Sequence, residues 1–138
     1  MTDCIFCDIV HGRGACSPVY EDETCFVFMD IHPVNAGHLL VVPKVHATDL
    51  SDLPPETGGK MFPVAQKMTA ALANSGLRCE GVDLLMAHKS AAGQEVFHAH
   101  LHVIPRYRGD GFRFDVSYDY KPSRDDLDQT AAQIKRFL

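Results

Sequence analysis

His98-Ala99-His100-Leu101-His102-Val103-Ile104-Pro105 is the stretch on which the fold of this chain turns. Imidazoles alternate strictly with apolar residues, and strand side chains at i, i+2 and i+4 share one face. The pattern predicts a strand over Val96–Pro105 with His98, His100 and His102 in a row on one side. Ala99, Leu101 and Val103 then face the other way, into a core. Neutral imidazole titrates near working pH, so strand faces seldom concentrate it without a use. The row fits the three ligands of a catalytic zinc with an open position, a solvent-facing strand merely rich in histidine, or imidazoles that act on a substrate.

Working outward, the same alternation logic yields further strands. Pro18–Glu21 and Cys25–Met29 cluster β-branched and aromatic residues around the turn Glu21-Asp22-Glu23-Thr24, which is the pattern of a hairpin. His38–Pro43 is an apolar run of buried-strand length, and Gly81–Ala87 reads as one more strand. Ile5–Val10 is a short apolar segment. Met61, Val64, Met68, Ala71 and Leu72 recur near helical spacing, which predicts a helix over Met61–Ala73 stopped by Gly76. Pro63 fits only a first turn, so that helix is expected to begin near Met61 or to bend there. Ser123-Arg124-Asp125-Asp126 resembles a capping box opening a helix that runs to about Phe137. The order β-β-β-α-β-β-α describes an α+β fold built on an antiparallel sheet.

Composition bounds the function classes. The 138 residues suit one domain, 1–138, and 46% hydrophobic with 22% charged residues is ordinary globular usage. No apolar run approaches a bilayer span, and Met1-Thr2-Asp3-Cys4 lacks the basic flank of an export signal, so a cytoplasmic protein without membrane attachment is expected. A formal charge of −5 argues against a nucleic-acid backbone as partner but leaves room for one nucleotide in a local pocket. Five cysteines with no export signal favour reduced thiols and a metal over disulfides. Cys4-Ile5-Phe6-Cys7 is a two-thiolate knuckle that by itself is compatible with metal, redox or inert roles.

Beyond the alternating stretch, Gly93-Gln94-Glu95-Val96, Val19-Tyr20-Glu21-Asp22, Phe28-Met29-Asp30-Ile31-His32-Pro33, Gly37-His38-Leu39 and Val42-Pro43-Lys44-Val45-His46 occur in order and spacing along the chain. In these blocks and in His98, His100, His102, Val103 and Ile104 the sequence resembles the histidine triad (HIT) family, in its bacterial form with a C-x-x-C zinc knuckle, from about Cys4 to Phe112. The resemblance implies a sheet of about five strands with two helices, paired with a second copy into a continuous sheet. Met61–Ala73 and Gly81–Ala87 are then the expected dimer surface.

The resemblance also implies a nucleotide hydrolase or transferase acting at the α-phosphorus of adenylyl-type substrates, such as a nucleoside phosphoramidate or dinucleoside polyphosphate. His100 is the implied nucleophile, oriented by the carbonyl of His98, and His102 the donor to a phosphate oxygen. Gln94 is placed near the scissile bond. Ile5, Phe6, Ile9 and Phe28 are implied to enclose the base of a purine nucleotide such as AMP, Asp30 to hold ribose, and Ile31, Gly93 and Glu95 to complete the substrate contacts. Cys4, Cys7, His46 and His98 are implied ligands of a structural zinc. Glu95, where other branches carry Ser or Thr, and Ala87, where Asn is common, depart from the family pattern. They keep open an alternative, a weakly active nucleotide-binding interaction module.

Overall fold

The computed structural model describes residues 3–138; Met1 and Thr2, part of the N-terminal stretch read above for an export signal, lie outside the described residues. In chain order the elements are α1 (Ile5–Val10), β1 (Pro18–Glu21), β2 (Cys25–Met29), β3 (Leu39–Pro43), α2 (Pro55–Asn74), β4 (Gly81–Leu85), β5 (Leu101–Arg106) and α3 (Arg124–Lys135). The strands form one antiparallel sheet in the order β1-β2-β3-β5-β4. The expected α+β class and five-stranded antiparallel sheet are observed, with three helices rather than two.

Strand alternation separates two cores. Cys25 and Val27 of β2, Leu39 and Val41 of β3, and Ala99 and Val103 turn to one face, where Met61, Val64, Ala65, Met68 and Leu72 of α2 cover them. Phe28, Leu40 and Val42 turn to the other, where Phe6 and Ile9 of α1 cover them. A strand buried on both faces has no polar positions. β3, Leu39-Leu40-Val41-Val42-Pro43, is accordingly buried throughout.

Three boundaries differ from the sequence reading, each for a local reason. The apolar segment Ile5–Val10 is a helix, opened by the Cys4 thiol, which accepts the Cys7 backbone N–H at 3.4 Å. α2 starts at Pro55, well ahead of Met61, with Pro63 in its interior. Proline conflicts with the carbonyl four residues earlier, which here belongs to Gly59 on the exposed side of the helix, open to solvent. Pro55-Glu56-Thr57-Gly58-Gly59-Lys60 carries no apolar periodicity to announce the first turns. The third difference bears on the site: β5 begins at Leu101, so His98 and His100 precede the ladder rather than belonging to it. β3 pairs with β5 only from Val41↔Leu101 to Leu39↔Val103. Past that point Pro43 has no N–H to give, and its carbonyl accepts from the His98 side chain instead.

Gly37 shows how closely the α2 face is packed. Its φ is +99°, and an added Cβ would stand 3.0 Å from Leu72 Cδ2, 3.0 Å from Leu77 Cδ1 and 3.3 Å from Pro105 Cγ. Both the backbone angle and the crowding oppose a side chain. Gly37→Ala is expected to destabilise the fold by about 1–3 kcal/mol; urea unfolding with an unchanged midpoint would contradict this packing.

Candidate active site and metal centre

Four histidines line this part of the sheet, His98 and His100 just before β5, His102 within it opposite Leu40 and His38 just before β3, and each of the ring orientations below follows from one main-chain or side-chain partner. A neutral imidazole has one N–H and one lone pair, so the partner of one nitrogen assigns the role of the other. His98 Nε2 lies 2.8 Å from the carbonyl of Pro43 and donates to it, which leaves the Nδ1 lone pair free. His100 Nδ1 donates to the carbonyl of His98 at 2.7 Å, which leaves Nε2 unprotonated. His38 Nδ1 accepts the Val34 N–H at 3.0 Å, so its proton resides on Nε2, which faces His102 Nδ1 at 2.9 Å. His102 accepts there and carries its own proton on Nε2.

The result is an acceptor at His100 Nε2 next to a donor at His102 Nε2, with the two rings 4.9 Å apart. Burial holds both rings neutral. It pushes His100 below the ordinary imidazole range against the opposing pull of its bond to His98 and of Asp30. His102 is pushed down to about 4, by burial first and then by the neighbouring His100 and His38. Phe6 stands edge-on to His100 at 5.1 Å and to Phe28 at 5.4 Å, fixing the floor beneath the ring.

The His98 Nδ1 lone pair points into a second cluster. Cys4 Sγ lies 3.4 Å away, Cys7 Sγ 3.5 Å and His46 Nδ1 3.2 Å, and Cys7 Sγ to His46 Nδ1 is 3.3 Å. A zinc tetrahedron with Zn–N near 2.0 Å and Zn–S near 2.3 Å has edges of roughly 3.3 Å between nitrogens and about 3.5 Å between nitrogen and sulfur. The donor set and its spacing fit a metal of that kind. The metal-free Cys7 thiol is pushed up to about 11, by burial first and then by Cys4; a bound cation would reverse that preference.

Asp30, His38 and His102 form another compact group of potential ligands. Asp30 Oδ2 lies 3.3 Å from His38 Nε2 and 3.8 Å from His102 Nδ1. Here the chemistry does not fit a metal. A metal on His38 Nε2 would move the ring proton to Nδ1, directly against the Val34 N–H.

The remaining residues singled out in the sequence divide. Phe6, Ile9 and Phe28 come together in the core under α1, whereas Ile5 and Ile31 are exposed, Ile31 at 80%. Gln94 is buried with its amide fully engaged: Oε1 accepts the Lys89 N–H, and Nε2 donates to the carbonyls of Thr48 and Val96. It staples its loop in this arrangement and presents no free amide hydrogen to a leaving group. Gly93 closes the short 3₁₀ turn Ser90–Ala92 with φ +91°. Glu95 is exposed and lines, with Ile5, Thr48, His46, Cys7 and Phe97, an open groove of about 640 Å³ beside the cysteine cluster rather than over His100. His88, next to Ala87, turns toward Asp49, its Nδ1 3.3 Å from the carboxylate. The residue without an assigned role in the sequence is His38; its position in Gly37-His38-Leu39 was visible, but not that its ring reaches across from β3 to His102.

Comparison with known proteins agrees with this architecture. A HIT domain model matches residues 14–109. A HIT family protein from Bacillus anthracis superposes with a TM-score of 0.88 at 40% identity, covering 99% of this chain and 97% of that one. A Zn-bound histidine triad family protein from Mycobacterium smegmatis superposes with a TM-score of 0.76 at 39% identity, covering 99% and 98%. The adenylylsulfatase HINT3 of Arabidopsis thaliana is 36% identical over 111 residues, 78% of this chain and 54% of that protein. The chain belongs to the histidine triad family, which includes a hydrolase of the adenylylsulfatase kind. Its Cys4, Cys7, His46 and His98 cluster fits a zinc knuckle. No helix among the described residues is long and apolar enough to cross a membrane.

The ring assignments are measurable. Long-range ¹⁵N–¹H correlation spectra at neutral pH are expected to show His100 protonated at Nδ1 and His102 at Nε2. The opposite tautomer at either ring would contradict the hydrogen-bond pattern described here.

Proposed function

We propose that residues 1–138 act as one HIT domain that cleaves adenylyl-type nucleotides at the α-phosphorus through a nucleotidyl-histidine intermediate. The observation that carries this reading is the bond from His100 Nδ1 to the His98 carbonyl, which leaves Nε2 unprotonated as the reactive atom beside an N–H donor on His102. In the first step Nε2 forms a bond to phosphorus while the bond to the leaving group breaks, and the leaving group departs with the electron pair and takes up a proton. His102 Nε2–H donates to a non-bridging phosphate oxygen and stabilises its charge in the transition state. Water then attacks the phosphorus, the P–N bond breaks, and a nucleoside monophosphate is released with His100 regenerated. The relation to an adenylylsulfatase supports an adenylyl group as the portion retained.

Substrate contacts follow the same reading. Asp30 Oδ1 accepts the His32 N–H, and its remaining lone pairs suit ribose hydroxyls. Phe6, Ile9 and Phe28 back the base, with Ile5, Ile31, Gly93 and Glu95 at its exposed rim. For Gln94 to donate to a leaving oxygen, one of its two bonds to carbonyls must exchange. That engagement, together with Glu95 and Ala87, is what favours the second reading, a nucleotide-binding module of low turnover.

Incubation with a hydrolysable adenylyl substrate and rapid acid-free denaturation is expected to trap one AMP on His100. His100→Asn should lose the adduct and at least about a thousandfold in kcat while retaining AMP binding, because a nucleophile contributes to bond formation rather than ground-state affinity. Activity within tenfold of wild type would overturn the mechanism; AMP binding without any adduct in the wild type would favour the module.

We also propose that the knuckle holds a structural zinc in a copy that pairs with a second to form a dimer. When bound, zinc supplies rigidity to the four ligands and no open position for substrate. His98 then links the two halves of the site, its ring held at the metal and its carbonyl orienting the nucleophile. Cys4→Ser is expected to lower zinc from about one per chain and to lower Tm with it. Activity well below that Tm should fall only in part, since every group at the phosphorus remains. A wild-type protein carrying no zinc, with a Tm indifferent to chelator, would remove the metal from this account.

A further inference from the structure

The chain that leaves β4 passes alongside His100. Leu85 pairs with His102 at the end of the β4–β5 ladder, and the same antiparallel register carried onward sets Ala87 at the level of His100. Residues 47–49 hold the loop there from the other side. The Ala47 carbonyl accepts the Ala99 N–H at 2.7 Å, the Thr48 carbonyl accepts from Gln94 Nε2, and Asp49 faces His88. Within this loop Lys89 has φ +69° and ψ 165°, a combination essentially confined to glycine. Both of its peptide groups are committed: its N–H donates to Gln94 Oε1 at 2.8 Å, and its carbonyl accepts the N–H groups of Ala92 at 3.0 Å and Gln94 at 3.2 Å. Glycine would take this conformation without strain. Strain that the surroundings over-determine clusters at functional sites, and what lysine adds to glycine is an ammonium on a flexible stem.

That charge is scarce here. On the segments that frame His100, residues 4–9, 28–32, 46–49 and 85–102, Lys89 is the sole lysine or arginine, against the acids Asp8, Asp30, Asp49 and Glu95. The first three have other partners, Asp8 in Arg13, Asp30 in His38, and Asp49 in Ser51 and His88. Glu95 lines the groove beside the cysteine cluster. Lys44, just past β3, is committed to Glu21 at 2.6 Å. Lys89 itself is exposed, so its ammonium is available to an anion that enters the site.

The chemistry of departure indicates which anion. In an in-line displacement the leaving atom stands on the side of phosphorus away from His100 Nε2, toward the rim rather than the floor of the site. A leaving amine must gain a proton as its bond breaks, whereas phosphate or sulfate departs as a stable oxyanion. Gln94 has its amide hydrogens on the carbonyls of Thr48 and Val96, so neither it nor Glu95 is placed to protonate an amine. Taking the cleavage at phosphorus given above as the basis, we propose that Lys89 is a specificity-determining residue whose ammonium meets the negative charge of an oxyanion leaving group, a phosphate or a sulfate. As Nε2 bonds to phosphorus, the bridging P–O bond breaks and its electron pair stays on the departing oxygen. The ammonium stabilises the charge gained there and keeps its own proton; any proton the leaving group takes up comes from water afterwards.

Full-length wild type, Lys89→Met, Lys89→Arg and Lys89→Gly are compared on adenosine 5′-phosphosulfate, diadenosine tetraphosphate and adenosine 5′-N-propylphosphoramidate. Lys89→Met keeps the stem and loses the charge. It is expected to lower kcat/KM for one or both oxyanion substrates by about tenfold or more beyond its effect on the phosphoramidate, and Lys89→Arg to recover most of that difference. Selective loss on the phosphosulfate alone would identify the leaving group as sulfate, on the tetraphosphate alone as a phosphate chain. Lys89→Gly is expected to show the same selective loss with Tm raised by roughly 2–4 °C. An equal change on all three substrates would overturn the role of Lys89 and leave the cleavage intact. A Tm at or below that of wild type in Lys89→Gly would overturn the strain from which the role is inferred. A wild type that cleaves none of the three and forms no adduct at His100 would overturn the cleavage, and the role of Lys89 with it.

Discussion

The position of His98 is the constraint on which the rest of the site depends. It lies three residues before Leu101, the first paired residue of β5, and three of its groups are committed in different directions. Its Nε2–H goes to the carbonyl of Pro43, its Nδ1 lone pair to the cysteine cluster, and its own carbonyl to His100. A fully buried imidazole with an unmet nitrogen would be costly, and both of its nitrogens are met. The geometry of His100 is thereby tied to the packing of α1, because the same Cys4 that faces His98 also opens that helix. A shift of the helix start would be felt at the cysteine cluster and at His100 together.

Placing the site at the end of a strand ladder has an electrostatic logic. Inside the ladder, main-chain carbonyls are consumed by neighbouring strands; at its end they become available to side chains. The carbonyls of Pro43 and His98 are of this kind, and they give two imidazoles defined tautomers through neutral main-chain acceptors. Burial then works in the same direction, holding His100 and His102 below the ordinary imidazole range. Neutral rings at these two positions are the forms that the proposed attack at phosphorus requires.

What was legible in the sequence follows from how each feature is encoded. Strands with one periodicity and clear turns, such as Cys25–Met29, could be read directly, and so could the capping box at Ser123 and Asp126. α1 was not, since six residues are too few for a helical period and a cysteine is an unusual cap. The first turns of α2 carry no apolar residue, so periodicity was silent where Pro55 alone marked the start. In the site, alternation predicted that three imidazoles share a face, while the end of the ladder at Leu101 depends on Pro43 in a distant strand. His38 and the engaged amide of Gln94 lay beyond sequence for the same reason: their partners are main-chain atoms far away in the chain.

The hydrogen bonds around the triad also determine how it responds to change over generations. His98 and His100 take their orientation from main-chain oxygens, which no side-chain replacement can delete. His102 takes its orientation from the ring of His38, which a single codon change removes. The orientations of His98 and His100 are thus inherited with the fold itself, while that of His102 is the evolvable member of the set. Divergence in ring orientation would be expected to collect around His38 and Asp30, with the neighbourhood of Pro43 held constant by the backbone.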